Sequence, residues 1–248
     1  MSYLEGVLES QRVDDAVERA VRARRAEIED LLRTGWPGGA PRFYYGGSFA
    51  KGTAIAVQFD LDVVMYFPPE TPAGPRELYE AVEARLRAAG RATARHNVAL
   101  RLRYTPGWHV DVVPGRALDP DYEYAALWAA ERCASRRTSL RRHIACARAL
   151  DRDTLRLLKL WRCRQAVPVG SFVLELAAER ALRGFAGTLE ERLARVLRFL
   201  AEELAEARLV DPANSNNVVS DDLEWSRKRD IAAAAARALS GPWQRAVW

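Results

Sequence analysis

Lysine is nearly absent from this 248-residue sequence: of 38 basic residues only Lys51, Lys159 and Lys228 are lysines. Arginine is therefore the default cation, a skew that GC-rich coding produces, and each surviving lysine stands out. Cysteine is equally scarce. Cys133, Cys146 and Cys163 are odd in number and far apart, so they imply no disulfide framework. His96, His109 and His143 share no metal-ligand spacing with them, which leaves no zinc site to propose. No apolar run approaches the roughly 20 residues that span a bilayer, and no signal-peptide pattern is present. Buried thiols in a reducing cytoplasm, with no membrane partner, are the expectation that follows. The formal net charge of +5 is modest. It suits a polyanionic ligand such as nucleic acid or a nucleoside triphosphate, and it suits plain solubility nearly as well.

The apolar pattern is at first helical. Val13, Ala16, Val17, Ala20 and Val21, extended by Ile28, Leu31 and Leu32, predict one amphipathic helix over 12–33, stopped by Trp36-Pro37-Gly38-Gly39. The period then shortens. Strands are expected over 42–45, running into Gly46-Gly47, and over 59–67. Pro68, Pro69 and Pro72 make a loop before a helix over 77–89. Strands over 98–104 and 108–113 flank Thr105-Pro106-Gly107, the signature of a hairpin turn. Beyond about residue 138 no strand is expected. Leu189, Leu193, Val196, Leu197, Leu200 and Leu204 form a helical stripe, and an Ala-rich helix covers 231–239. The expectation is an α+β protein of two lobes, a mixed α/β domain over 36–137 and a helical bundle over 138–248. The N-terminal helix, 1–35, would pack across both, and the boundary near 118–138 is soft.

Three short stretches carry chemistry. In Gly46-Gly47-Ser48-Phe49-Ala50-Lys51-Gly52-Thr53, the glycines would let backbone N–H groups approach a phosphate, and Ser48 adds a hydroxyl donor. Gly-Gly pairs also serve as simple turns. Asp60-Leu61-Asp62 opens an apolar run, and residues two apart on a strand project from one face. Such carboxylates repel unless a cation neutralises them. Val110-Asp111-Val112-Val113 places a third aspartate inside an apolar strand, where it too needs a partner or a metal. Three such aspartates in neighbouring strands beside a Gly-Ser loop fit two-metal phosphoryl transfer, because hard carboxylate oxygens suit Mg²⁺.

The run Gly47-Ser48, eleven residues, Asp60-Leu61-Asp62, then Val110-Asp111-Val112 resembles the DNA polymerase β-like nucleotidyltransferase superfamily. Leu158-Lys159-Leu160-Trp161 and Gly170-Ser171-Phe172-Val173-Leu174-Glu175-Leu176 are similar to the helical region of oligoadenylate synthetases and cyclic GMP-AMP synthase-like enzymes, the CD-NTase group. Asp211-Pro212-Ala213-Asn214-Ser215-Asn216-Asn217-Val218 is similar to a segment of that group and of archaeal CCA-adding enzymes. The resemblance implies two Mg²⁺ ions, with Mn²⁺ as an alternative, on Asp60, Asp62 and Asp111, in a cleft between the lobes. It places Gly47, Ser48 and Lys51 in the nucleotide-binding set. Ser48 would hold the β- or γ-phosphate, Lys159 and Ser171 would contact the triphosphate, and Phe172 would stack on the base. Each has a plainer reading: Lys159 as a helix-surface cation, Phe172 as core, and Asp211-Pro212 as a turn with Asn caps. Phe59 stands where relatives often carry a small polar residue, and no zinc insertion of the animal type is present.

The activity so implied is the joining of nucleoside triphosphates into a short linear or cyclic oligonucleotide, as in bacterial anti-phage signalling. A second expectation is nucleotide transfer to an RNA or tRNA 3′ end. The chain leaves no room for the RNA-gripping domains of archaeal CCA-adding enzymes, which counts against that particular role. A third, from another class, is a silent nucleotide- or nucleic-acid-binding module. Arg132, Arg136, Arg137, Arg141 and Arg142 would serve either as a grip on an RNA acceptor or activating nucleic acid, or as a solvated face.

Overall fold

The structure is a computed structural model and describes residues 2–37, 39–58, 60–104 and 108–247. Its contacts divide the chain into two units: Val13–Gly52 with Phe59–Ile144, and Met1–Arg12 with Thr53–Gln58 and Ala145–Trp248. Residues 105–107, the expected hairpin turn, lie outside the described residues, as do Gly38 and Phe59.

Two helices, not one, open the chain. Ser2 caps α1 (Tyr3–Ser10) in a capping box with Glu5, and Asp14 caps α2 (Asp15–Leu32) by accepting from the Ala16 N–H. Helix α1 belongs to the helical unit and α2 to the sheet unit, so the N-terminal stretch is shared out differently from the division expected at residue 35. Strand β1 (Arg42–Tyr45), the short α3 (Gly47–Lys51) and β2 (Leu61–Phe67) follow. Helix α4 (Pro75–Ala88) has proline in its first turn, and the Glu77 carboxylate accepts from the Gly74 N–H. Next come β3 (Thr93–His96), β4 (Ala99–Tyr104) and β5 (Trp108–Ala117).

The span expected to be a soft boundary holds two more strands, β6 (Ala125–Ala129) and β7 (Ala134–Thr138). Ala-Ala-Leu-Trp-Ala and Ala-Ser-Arg-Arg-Thr are poor in β-branched residues, so propensity gives little signal; pairing to the tail of β5 makes them strands. The sheet runs β1-β2-β5-β4-β3, with β6 on β5 and β7 on β6. Among the described residues of this sheet, only β2 and β5 pair in parallel.

That sheet has two unlike faces. Leu61, Val63, Met65 and Phe67 of β2, with Leu100, Leu102, Val110 and Val112, pack against Val21, Ile28 and Leu32 of α2 and Leu78, Tyr79, Val82 and Leu86 of α4. The alternate residues Val64, Tyr66 and Val113 pack a smaller cluster with Tyr122, Ala125 and Leu127. Period-two alternation therefore sends Asp62 and Asp111 away from the helices.

The helical unit is built from α5 (Leu140–Arg148), whose last turn enters it, then α6 (Arg152–Arg164), α7 (Ser171–Leu182), α8 (Leu189–Glu202), α9 (Trp225–Leu239) and α10 (Trp243–Ala246). Its core surrounds the fully buried Trp161 with Leu158, Leu174, Leu193, Leu197 and Ile231, and takes in Ile55 from the 53–58 segment. The expectation that strands end near residue 138 is corrected here by the short hairpin β8 (Val210–Asp211) and β9 (Asn214–Val218). Asp211 organises that turn, accepting from the Ala213 N–H at 2.8 Å and from Asn217 Nδ2 at 2.9 Å.

In the sheet unit α4 is tied to β3 by charge. The carboxylate of the buried Glu83 accepts from Arg95 Nη2 at 2.7 Å and from Arg87 Nη2 at 2.8 Å. The Arg95 guanidinium, foremost, holds its carboxyl below the usual range near 4.5. A depressed folded-state pKa contributes stability that is present above the unfolded pKa and is lost as pH falls through the folded one. Glu83→Gln is expected to destabilise the unit by about 1–2 kcal/mol at neutral pH. The gap from the unsubstituted protein should narrow as urea titrations are taken below pH 4.5. A gap independent of pH would show that the charge is not what stabilises.

Candidate active site

The site begins with register. In the parallel pair β2–β5, Asp62 lies opposite Asp111, and Leu61 opposite Val110. Asp60 immediately precedes β2, two residues before Asp62. The three carboxylates expected from the sequence are thus gathered at one end of two adjacent strands, on the face away from α2 and α4. Asp111 is only 7% exposed, while Asp62 is half-buried.

The glycine turn closes against them. The Gly46 N–H donates to the Asp62 carbonyl at 2.8 Å. A Cβ on Gly47 would fall 1.7 Å from Asp62 Oδ2, and one on Gly46 would meet Val64 Cγ2 at 2.9 Å. Gly47 also has φ +51°, in the left-handed region that favours glycine. These glycines bring the chain against the Asp62 carboxylate, and α3 starts there with Ser48 in its first turn and Lys51 in its last.

Two residues that the sequence did not single out complete the acidic face. Arg101 lies opposite Asp111 in the β4–β5 register. Its Nε donates to Asp111 Oδ1 at 2.9 Å and its Nη2 to Oδ2 at 2.7 Å. That hydrogen-bonded carboxylate, with the charges of Asp60 and Asp62 behind it, raises the already high pKa of the guanidinium. His109 Nδ1 is 3.0 Å from Asp60 Oδ1, and its Nε2 lies 3.8 Å from Asp111 Oδ2. That Nε2 is buried and has no hydrogen-bond partner among the described residues.

The remaining expected residues lie in the helical unit. Lys159 is 6% exposed, and its ammonium donates to the Thr53 carbonyl at 3.0 Å and to Thr53 Oγ1 at 2.8 Å. Ser171 opens α7, and its hydroxyl accepts from Arg162 Nη1 at 2.8 Å. Arg162 Nη2 also donates to Gln58 Oε1. Phe172 is partly buried against the helical core. Sequence reading passed over Arg162, one arginine among many; its spacing of three from Lys159 places both on one side of α6 and is the signal that could have found it.

The donor set suits a hard divalent cation. Three carboxylates are the hard oxygen ligands that Mg²⁺ and Mn²⁺ accept, and a guanidinium already sits on Asp111 as a stand-in cation. Among the described residues no three acidic, histidine or cysteine side chains converge as a ready-made metal cage. Mg²⁺ does not demand one, because phosphate and water oxygens complete its octahedron. The residues fit such an ion.

The sequence matches no protein-family model and no curated protein. Solved structures do match in fold. The CD-NTase CdnG of Bradyrhizobium diazoefficiens, in complex with GTP, is similar with a TM-score of 0.79 at 18% identity, over 96% of this chain and 90% of that one. The Rhodothermus marinus CdnE c-UMP-AMP synthase, with Apcpp and Upnpp, gives 0.67 at 17% over 93% of each chain. The Cid1 poly(U) polymerase with Mg and 3′-dATP gives 0.71 at 13%, over 96% of this chain and 92% of that one. The chain has the fold of CD-NTases and of this polymerase, as the motif resemblance implied.

The close approach at the glycine turn sets a test. Gly47→Ala should either expel the Asp62 carboxylate from its position or unfold the turn, with a loss of about 1–3 kcal/mol measured by urea denaturation. Unchanged stability together with unchanged Mn²⁺ affinity would show that Asp62 does not need this turn.

Proposed function

We propose that this protein is a metal-dependent nucleotidyltransferase that joins nucleoside triphosphates into a short linear or cyclic oligonucleotide with release of pyrophosphate. The observation that carries this reading is Asp62 facing Asp111 across parallel strands, with Asp60 beside them and a glycine turn closed on Asp62. The fold shared with CdnG, solved with GTP, and with a c-UMP-AMP synthase supports it. Anti-phage signalling in a bacterial cytoplasm is the setting proposed with it; among the described residues no helix is long and apolar enough to cross a membrane.

Asp60 and Asp62 would hold both ions, and Asp111 the one beside the acceptor hydroxyl. Bound there, magnesium or manganese would supply charge neutralisation of the triphosphate and a more acidic acceptor hydroxyl. The chain's own residues would orient the reactants. Ser48 and the backbone N–H groups at the start of α3 would donate to phosphate oxygens, with Lys51 one turn on. Arg162 and Ser171, held 2.8 Å apart, would offer a guanidinium and a hydroxyl to the triphosphate. Lys159, whose ammonium is turned onto Thr53, would position the 53–58 segment. Phe172 would stack on the donor base. In the reaction the acceptor oxygen loses its proton and bonds to the α-phosphorus as the bond to the β-phosphate oxygen breaks. Most of the acceleration would come from positioning and charge stabilisation.

A second reading, transfer of nucleotides to an RNA or tRNA 3′ end, is favoured by the likeness to a poly(U) polymerase. One experiment separates the two. The protein is incubated with all four nucleoside triphosphates and Mg²⁺ or Mn²⁺, with and without tRNA, and products are resolved by mass spectrometry. Oligonucleotides formed without RNA, and reduced by about a thousandfold in Asp60→Asn/Asp62→Asn, are expected. Products appearing only on added RNA would establish the terminal transferase instead. Nucleotide binding with no turnover in any condition would sink both and leave a binding module.

A further inference from the structure

The Asp111 carboxylate already has a cation. Arg101 reaches it from the neighbouring strand with a two-pronged guanidinium, 2.9 Å to Oδ1 and 2.7 Å to Oδ2. Both carboxylate oxygens are taken in the bidentate geometry that is strongest for this pair. The Arg101 side chain is three-quarters buried, and Leu100 and Leu102 on either side are locked into the opposite face of the sheet. Strand β4 therefore cannot slide to release the contact, and only rotation of the side chain can. An arginine also cannot leave by losing its proton. An ion approaching Asp111 thus meets a carboxylate whose best lone pairs are occupied, and a fixed positive charge beside it. Asp60 and Asp62 sit just before β2 and on it, one strand further from β4, with His109 against Asp60.

We propose that Arg101 is a tethered counter-cation that competes with the metal ion for Asp111, so that an ion reaches Asp111 only when the Arg101 fork opens. The proposal rests on the metal reading above. It makes Arg101 a positioning residue with two tasks. In the metal-free protein it neutralises an aspartate that would otherwise lie uncompensated inside a sheet, which is strongly destabilising. During metal loading it governs when Asp111 becomes a ligand.

Competition predicts the sign of a binding change, which a merely structural role does not. Mn²⁺ binding to the full chain, without nucleotide, is followed by the electron paramagnetic resonance signal of the free ion, and Tm is recorded with and without Mn²⁺. Wild-type protein is expected to bind Mn²⁺ saturably, with binding removed in Asp60→Asn/Asp62→Asn. Arg101→Met should bind Mn²⁺ about tenfold more tightly, the size of an ordinary coupling between two competing ligands. Its Tm should fall without metal and rise more on Mn²⁺ addition than the wild type does, because the ion then replaces the missing charge. Adding Asp111→Asn to Arg101→Met should erase the gain in affinity. Arg101→Lys, which keeps the charge and loses the fork, should show a smaller gain in the same direction, and it carries the test if Arg101→Met does not fold. Unchanged or weaker Mn²⁺ binding in these variants, with wild-type binding intact, overturns the competition and leaves the metal reading standing. Absence of saturable binding in the wild type overturns both.

Discussion

Two aspartates set opposite each other in a parallel strand pair are the constraint on which the rest of the sheet unit depends. Once Asp62 and Asp111 share a register position, their charges face one way from a sheet whose other face is a hydrophobic core. Like charges at that spacing are tolerated only with compensation. At Asp111 the structure supplies it as the Arg101 fork from β4, while His109, two residues before Asp111, lies against Asp60. On the β1 side the chain itself moves in, with a pair of glycines where any side chain would collide with Asp62. The opposite face is left apolar, which lets α2 and α4 anchor both strands and hold the two aspartates in place. The acidic face and the hydrophobic core are therefore written into alternate residues of the same strands.

Alternation is also why so much of this unit was legible. An Asp in Leu-Asp-Val-Val or Val-Asp-Val-Val interrupts an apolar run at one position, and two residues apart on a strand means one face. Asp60, Asp62, Asp111 and the glycines were readable on those grounds. Arg101 was readable in principle: once Tyr104 pairs with Trp108, three residues further along each strand Arg101 falls opposite Asp111. It was missed because arginine is the default cation of this sequence, so one more carried no signal by itself. Strands β6 and β7 were missed for a different reason. Their alanines and arginines have no strand preference, and what holds them is the ladder from Gly115–Ala117 through Ala125–Leu127 to Arg136–Thr138. Long-range pairing of that kind leaves no local trace.

The division of the chain was the least legible feature, and Lys159 shows why. Its rarity as a lysine made it stand out, and the motif it belongs to suggested a phosphate. In the structure its ammonium is buried on Thr53, a contact that joins residues 106 apart in sequence. No pattern within α6 announces that partner. Arg162, one helical turn along, reaches Gln58 at the other end of the same short segment, while Ile55 in the middle enters the helical core and the Ala56 N–H donates to the Gln11 carbonyl. Six residues are thus held at both ends, at the centre and along the backbone, which is why they fold with the helices although sheet elements flank them in the chain. What they connect is α3, with the Gly-Ser turn, to Asp60, the first carboxylate. The two cations of α6 therefore hold residues 53–58 within the helical unit, and Arg162 does so with the same guanidinium that holds Ser171.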